Sequence, residues 1–292
     1  MTTFIDFARA HGVHIEPSKL CPSERIRRCP TLEHPKKDNG AFYWDGSRGW
    51  VFAWDGAARV EWFNDPNARP WTEQEKAAWK AKRAAANASQ ERTYREAAHR
   101  AAEMLRGTVP GTHDYLIRKG LPKVDGLVMR DGALLVPMRN AITNDLQGAQ
   151  VIRWDADALR WDKKMVYGMK AKGAVLRIGS RNAAETILCE GWATGLSIEI
   201  AARQMRLNAA VLVCFSDSNL VHVAGLTKGR RYVFADHDKS GAGERAAVAS
   251  GLPYCMSPVL GEDANDMHQR AGLMPVCALL MKVRSQEAMA VT

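Results

Sequence analysis

The fold of this chain is decided by ILCEGWATG (187–195), YVFADHDKSGAG (232–243) and GEDAND (261–266). In the first two stretches an apolar run ends at acidic residues, Glu190 in one and Asp236 and Asp238 in the other. Glycines and a helix-like stretch follow each run, which is the pattern of a strand that turns over into a helix. The carboxyl ends of parallel strands line one crevice of an open sheet. We therefore expect an α/β fold in which these distant acidic residues converge.

The residue types in these stretches predict a divalent metal site. Asp236 and Asp238 are two residues apart, so in an extended chain both would point to the same face. Asp263 and Asp266 would add a further acidic corner. Neighbouring carboxylates raise one another's pKa, and Mg²⁺ is commonly held by one or two carboxylates together with substrate phosphates. We expect Mg²⁺, or Mn²⁺, to be bound by these aspartates and Glu190.

This order of acidic motifs resembles the Toprim domain, which primases, type IA and type II topoisomerases and some repair nucleases share. The resemblance covers residues 184–272. It implies a Rossmann-like parallel sheet, with Glu190, Asp236 and Asp238 as the catalytic residues. One position departs from the pattern, because many primases carry a further aspartate four residues after the first glutamate, where this chain has Thr194.

The sequence upstream resembles the basic subdomain that precedes the Toprim domain in primases. The similar stretches are DYLIRKGL (114–121), DGALLVPMRNA (131–141) and QGAQVIRWDADALRWDKKMVYG (147–168). The resemblance implies that Arg139, together with Lys163 or Lys164, grips the template backbone and the incoming triphosphates. Arg153 is a weaker candidate on the same predicted hairpin. The alternative for each residue is a solvated basic strand face.

The distribution of charge agrees with a nucleic-acid partner. The chain has 41 Lys and Arg against 32 Asp and Glu, a net charge of +9. Residues 184–272 hold 8 basic and 10 acidic residues, so the rest of the chain holds 33 basic and 22 acidic residues. Acidic residues are thus concentrated where a metal would bind. The excess of basic residues elsewhere suits contacts with phosphates.

The stretch RCPTLEHPKKDNGAFYWDGSRGWVFAWDG (28–56) is similar in layout to the zinc ribbon of many primases. Only Cys21, Cys29 and His34 are available as ligands, and their spacing does not provide a closed four-ligand zinc site. We expect residues 1–65 to form a ribbon-like β module with an aromatic core in place of zinc, and with a role in binding the template. Most of its aromatic side chains are expected in that core, while exposed ones could stack on bases. These residues are Tyr43, Trp44, Trp50, Phe52, Trp54, Trp62 and Phe63.

The remaining composition sets the expected domain boundaries. Residues 66–108 read as a helical linker with a capping box from Thr72 to Glu75. They lead into the basic subdomain at 109–183 and the Toprim segment at 184–272, and a C-terminal helix and tail follow at 273–292. The sequence contains no apolar run of 18 residues and no signal-like start. We expect no membrane association and a location in the cytoplasm of a bacterial or phage-infected cell.

These features together favour a DNA primase that synthesises RNA primers on single-stranded DNA from NTPs. The sequence lacks the G-x4-GK[ST] motif of a fused helicase or ATPase, so we expect a stand-alone primase of the compact kind that bacteriophages and plasmids encode, working with a separate replicative helicase. Two alternatives use the same features. One is a Toprim metal-dependent nuclease, and the other is a noncatalytic adaptor or inhibitor that binds single-stranded DNA.

The absence of a four-ligand set predicts that the purified protein carries no stoichiometric zinc. Elemental analysis of protein prepared without chelators should return far less than one zinc per chain. A value near one would contradict the ribbon without metal and would require a ligand besides Cys21, Cys29 and His34.

Overall fold

The computed structural model describes residues 3–54, 59–65 and 70–290. The chain forms two compact units, Met1–Arg83 and Ala84–Thr292. The boundary between them falls within the longest helix.

The N-terminal unit is a small antiparallel sheet covered by one helix. Helix α1 (Phe4–Ala10) begins with a capping box between Thr3 and Asp6. The four strands pair in chain order, so that each strand lies beside the next. They are β1 (Ser23–Cys29), β2 (Gly40–Trp44), β3 (Arg48–Ala53) and β4 (Val60–Asn64). Strands β2 and β3 form an antiparallel hairpin.

The aromatic side chains of this sheet are divided between its two faces. Phe42 and Phe63 lie in the core with Phe4, against which Trp44 stacks at 4.5 Å between ring centroids. Tyr43, Trp50 and Trp62 occupy directly paired positions on three adjacent strands. The expectation that most of these aromatic residues belong to the core is therefore only partly right. Of the seven, only Trp44 and Phe63 lie in the core, because strand alternation places Tyr43, Trp50, Phe52 and Trp62 on the other face, and Trp54 and Trp62 are more than half exposed.

Helix α2 (Glu73–Arg106) is long and mostly solvated, as the sequence predicts. The capping box is present, because the Thr72 hydroxyl accepts from the Glu75 amide and the Glu75 carboxylate accepts from the Thr72 amide. The helix buries few side chains, among them Ala97 and Ala101. Ala101 packs in a cluster with Leu135 and Ala149.

The C-terminal unit is built on one ten-stranded mixed sheet. Its strands follow the order β14-β13-β11-β12-β10-β7-β6-β5, with β8 beside β7 and β9 beside β8. The elements are β5 (Thr108–Gly111), α3 (Asp114–Arg118), β6 (Gly126–Met129), β7 (Leu134–Asn140), β8 (Leu146–Asp155), β9 (Arg160–Met165), β10 (Ala174–Ile178), β11 (Glu185–Cys189), α4 (Trp192–Gln204), β12 (Ala209–Val213), α5 (Asp217–Leu226), β13 (Arg230–Ala235), α6 (Ala242–Ser250), β14 (Tyr254–Met256), α7 (Ala264–Ala271) and α8 (Leu273–Ala290).

Strands β14, β13, β11 and β12 are mutually parallel, and the other pairings in the sheet are antiparallel. Their residues alternate between two apolar layers. Ile187 packs in the layer that contains residues of α4, α7 and α8, whereas Leu188 packs in the layer that contains residues of α5 and α6. This arrangement confirms the predicted α/β class, a Rossmann-like parallel sheet preceded in the chain by α+β and β elements.

Among the residues that the structure describes, no helix is both long enough and apolar enough to cross a membrane.

Helix α8 is held to the sheet by a buried ion pair. Glu185, at the start of β11, is 4% exposed, and its Oε2 lies 3.0 Å from Nε of Arg284. The same helix contributes Val276, Leu280 and Val283 to the core. Removing one partner of such a pair leaves a charge without compensation in a buried position.

Replacing Arg284 with Met should therefore lower the free energy of unfolding by roughly 3–5 kcal/mol, the cost of breaking a buried pair. Chemical denaturation measures the change. The double variant Glu185→Gln/Arg284→Met should recover much of the loss. Arg203 pairs with Glu199 at the surface, so Arg203→Met should cost about 1 kcal/mol or less. Equal losses in the two single variants would contradict the assigned role of the buried pair.

Candidate metal and nucleotide site

Acidic residues follow all four parallel strands at the same edge of the sheet. Glu190 follows β11, and Asp236 follows β13 directly. Asp217 begins α5 after β12, and Asp263 lies just before α7 after β14. Glu190, Asp236 and Asp263 were predicted from the sequence, whereas Asp217 was not. The apolar run Ala209–Cys214 followed by an acidic residue was a signal that could have identified it.

Asp236 is the carboxylate with the least support from the protein. Its Oδ1 atom is buried and has no hydrogen-bond partner among the described residues. Burial, together with the nearby charges of Asp263 and Glu190, raises its pKa to about 7. Gly243 is required beside it, because a Cβ at that position would clash with the Asp236 carbonyl oxygen. A buried carboxylate oxygen that accepts no hydrogen bond is costly to keep in its charged form.

Asp238 lies only two residues further on but has the opposite environment. Its Oδ2 accepts from the Gly243 amide at 2.8 Å, and its Oδ1 accepts from the amides of Ser240 and Ala242. Hydrogen bonds from Ser240 and Gly243 hold the pKa of Asp238 below its ordinary value. Both aspartates lie beyond the last residue of the strand, Ala235. Asp238 instead caps the first turn of α6.

Glu190 is affected by several neighbouring charges. Burial raises its pKa, the carboxylates of Asp217 and Asp238 raise it further, and Lys163 lowers it. Its carbonyl oxygen accepts from the Phe215 amide at 2.9 Å, which links the turns after β11 and β12. A glutamate with a raised pKa is suited to accept a proton near neutral pH.

Asp263 and Asp266 form a reciprocal capping box at the start of α7. Asp263 Oδ1 accepts from the Asp266 amide at 2.8 Å, and its Oδ2 accepts from the Thr194 hydroxyl at 2.8 Å. Thr194 therefore supplies a hydrogen-bond donor at the position where many primases have another carboxylate. Asp266 Oδ1 lies 3.3 Å from Nζ of Lys119, a basic residue that the sequence analysis did not single out.

Asn265 fixes the end of α3 against α7. It is fully buried, and its Nδ2 donates to the Lys119 carbonyl oxygen at 2.9 Å and to the Ser197 hydroxyl at 3.0 Å. Because Lys119 also carries the ammonium that faces Asp266, this network positions a cation beside the acidic edge. A fully satisfied buried network of this kind is rigid.

The structure separates the two lysines that the sequence left as alternatives. The Lys163 side chain is exposed, and its Nζ lies 5.3 Å from the centroid of the Tyr115 ring. Partial loss of water around the ammonium lowers its pKa, and the charges of Asp263, Asp236 and Glu190 oppose that shift. Lys164 is exposed and pairs with Asp162 at 2.8 Å. Lys163 is therefore the lysine of the hairpin that reaches the acidic edge.

The two arginine candidates make their contacts elsewhere. Arg139 is exposed on β7 and donates to the carbonyl oxygen of Asn144 at 3.2 Å. Arg153, on β8, pairs with Asp131 at 2.7 Å, and both side chains are about half exposed. Their proposed roles in phosphate binding stay predictions. The contacts of these arginines do not bring them to the carboxylates.

The donor set fits a hard divalent cation that protein ligands hold only in part. Within residues 3–54, 59–65 and 70–290, no group of three or more His, Cys, Asp or Glu side chains is arranged to hold a metal ion by itself. Mg²⁺ needs only one or two carboxylates when waters and phosphates complete its shell. The partnerless Oδ1 of Asp236 is an atom that such a cation would satisfy. Asp236 and Glu190 would hold it, with Asp238, Asp263 and Asp266 as the other predicted ligands.

The acidic edge lies in a part of the chain that matches a known family model. The family model described as the Toprim domain matches residues 185–273. A Toprim domain is found there. The match contains all five predicted acidic residues and agrees with the resemblance seen in the sequence, whereas the primase type stays a prediction. A search of curated proteins found no match to the chain. Toprim domains generally bind Mg²⁺, and primases, nucleases and topoisomerases share them.

The contrast between Asp236 and Asp238 predicts opposite effects on stability. In EDTA at pH 8, Asp236→Asn should stabilise the protein by about 1–3 kcal/mol, because it removes an unpaired buried charge. Asp238→Ala should destabilise it by about 0.5–2 kcal/mol, because the first turn of α6 loses its cap. Thermal denaturation measures both changes.

Added Mg²⁺ should stabilise the wild type more than Asp236→Asn, because the neutral variant offers the cation less charge. Loss of stability in both variants would show that the Asp236 carboxylate is structural rather than a vacant ligand.

Proposed function

We propose that this protein is a DNA primase, which uses NTPs and Mg²⁺ to synthesise short RNA primers on single-stranded DNA. The observation that carries the proposal is the position of Lys163. This lysine lies on β9 of the β8–β9 hairpin, with its ammonium beside the Tyr115 ring. The charges of Asp236 and Glu190 at the acidic edge oppose the lowering of its pKa. The lysine would bind phosphate and the carboxylates would bind the metal, so groups from different parts of the fold would act at one place.

The proposed reaction joins the 3′-hydroxyl oxygen of the growing strand to the α-phosphorus of an NTP. The bond from that phosphorus to the oxygen of the β-phosphate breaks, and pyrophosphate leaves. The bound metal would supply positive charge to the phosphate oxygens. Glu190, with its raised pKa, would accept the proton of the hydroxyl, and the ammonium of Lys163 would neutralise charge on the triphosphate.

The N-terminal unit offers a surface for the template. Tyr43, Trp50 and Trp62 form a row across three strands, and the Trp62 side chain is 60% exposed. Aromatic rings on a sheet stack on single-stranded bases without strong sequence preference. We propose that this face binds the template and that Arg139 and Arg153 add phosphate contacts. We also propose that a separate replicative helicase opens the duplex.

A synthesis assay tests the proposal and separates it from a nuclease. Purified protein should incorporate labelled NTPs into short products on single-stranded DNA when Mg²⁺ is present. Lys163→Ala should lower that synthesis at least about 100-fold, the loss typical of a group that stabilises charge in the transition state. Lys164→Ala is the matched control on the adjacent position, and it should affect mainly the salt dependence of template binding.

Shortening of the template without incorporation would identify a nuclease and overturn the proposal. Equal synthesis by Lys163→Ala and the wild type would remove the observation on which the proposal rests. Binding of the labelled template, measured in parallel, shows whether either lysine acts on binding rather than on chemistry.

A further inference from the structure

A further pocket lies beside the β8–β9 hairpin, and its lining contains none of the five predicted acidic site residues. Its most prominent members are Trp154 and Trp161, which face each other across the hairpin with ring centroids 5.3 Å apart. Trp154 remains 39% exposed. Tryptophan at this exposure, beside a concave surface, offers a large flat apolar contact for a ligand.

The opposite side of the pocket is polar and held in place. His113 Nδ1 accepts from the Tyr115 amide, so Nε2 carries the hydrogen and donates to the Gly132 carbonyl oxygen at 2.9 Å. Asp131 accepts from the Ala133 amide at 3.1 Å and pairs with Arg153 at 2.7 Å. The pocket therefore combines an aromatic wall with fixed donors and acceptors. This combination suits a planar heteroaromatic ligand better than an aliphatic one.

The position of the pocket relates it to the acidic edge. Trp161 and Lys163 are two residues apart on β9, so both side chains lie on one face of the hairpin, about 7 Å apart along the strand. Tyr115 connects them, because its ring packs edge-on against Trp161 at 5.5 Å and lies beneath Lys163 Nζ. The pocket and the Lys163 ammonium are therefore connected through the adjoining rings of Trp154, Trp161 and Tyr115.

We propose that the pocket binds the base of the nucleoside triphosphate whose phosphates are bound at Lys163. The proposal rests on the proposed function for its phosphate site, and it adds the part of the protein that recognises the base. The base stacks on the Trp154 ring, opposite the face that the guanidinium of Arg118 covers at 4.7 Å. Stacking engages the face of the base and leaves its pairing edge free for the template. Asp131 provides a hydrogen-bond acceptor at the rim.

Equilibrium binding tests this without requiring catalysis. Trp154→Ala should weaken the binding of ATP and GTP at least about fivefold, the lower end of the loss expected for one stacked base. It should leave the binding of inorganic tripolyphosphate unchanged, because that probe has no base. Trp154→Phe, which keeps an aromatic face, should recover much of the affinity. Lys163→Ala should weaken both ligands.

The control is Trp79→Ala, which removes a tryptophan of similar exposure on α2. It should bind NTPs like the wild type, and circular dichroism shows that each variant is folded. Equal NTP affinity in Trp154→Ala and the wild type would overturn the pocket. Weaker binding of a single-stranded oligonucleotide with unchanged NTP binding would also overturn it, because the pocket would then hold a template base.

The same measurements keep this proposal distinct from the proposed function. If the wild type synthesises primers but Trp154→Ala binds NTPs normally, the base pocket is wrong and the primase stands. If Trp154→Ala loses NTP affinity but the wild type synthesises no primer, the pocket stands and the reaction is wrong.

Discussion

The repulsion between carboxylates at one edge of a parallel sheet is the constraint on which this structure depends. Parallel strands bring their carboxyl ends together, and here each of four adjacent strands is followed by an acidic residue. The chain relieves the repulsion in different ways at different positions. Asp238, Asp263 and Asp266 accept backbone amides at helix starts, where negative charge is favoured. Asp236 and Glu190 have raised pKa values and offer the charge that a cation would neutralise.

The same repulsion is reduced by one hydroxyl group and two ammonium groups. Thr194 donates a hydrogen bond to Asp263, so it stabilises an existing carboxylate instead of adding another. Lys163 and Lys119 bring ammonium groups from the preceding part of the chain to the acidic edge. The basic hairpin and α3 therefore serve the Toprim edge electrostatically as well as by packing. The ammonium groups of Lys163 and Lys119 reduce the repulsion between the carboxylates.

The sequence predicted the parallel sheet and the acidic edge because apolar runs that end in Glu or Asp are local patterns. It could not distinguish Lys163 from Lys164, because the choice depends on strand register: Lys163 pairs with the buried Ile152 and Lys164 with the more exposed Val151. It did not separate Asp236 from Asp238, because their difference depends on which carboxylate accepts the amides at the start of α6, and the spacing of two residues does not reveal this. Most of the aromatic residues of the N-terminal sheet were expected in its core, although alternation along the strands leaves only Trp44 and Phe63 of the seven on the core face.

The continuous sheet has a mechanical consequence for the acidic edge. From Lys163 on β9, backbone pairing runs through β8, β7, β10 and β12 to β11, the strand that carries Glu190. The lysine and the glutamate are therefore mounted on one hydrogen-bonded surface, with no loop between them that could act as a hinge. Separating the two would require rupture of a strand ladder, which costs far more than a loop movement. The relative position of these two side chains is therefore set by the sheet and not by a flexible loop.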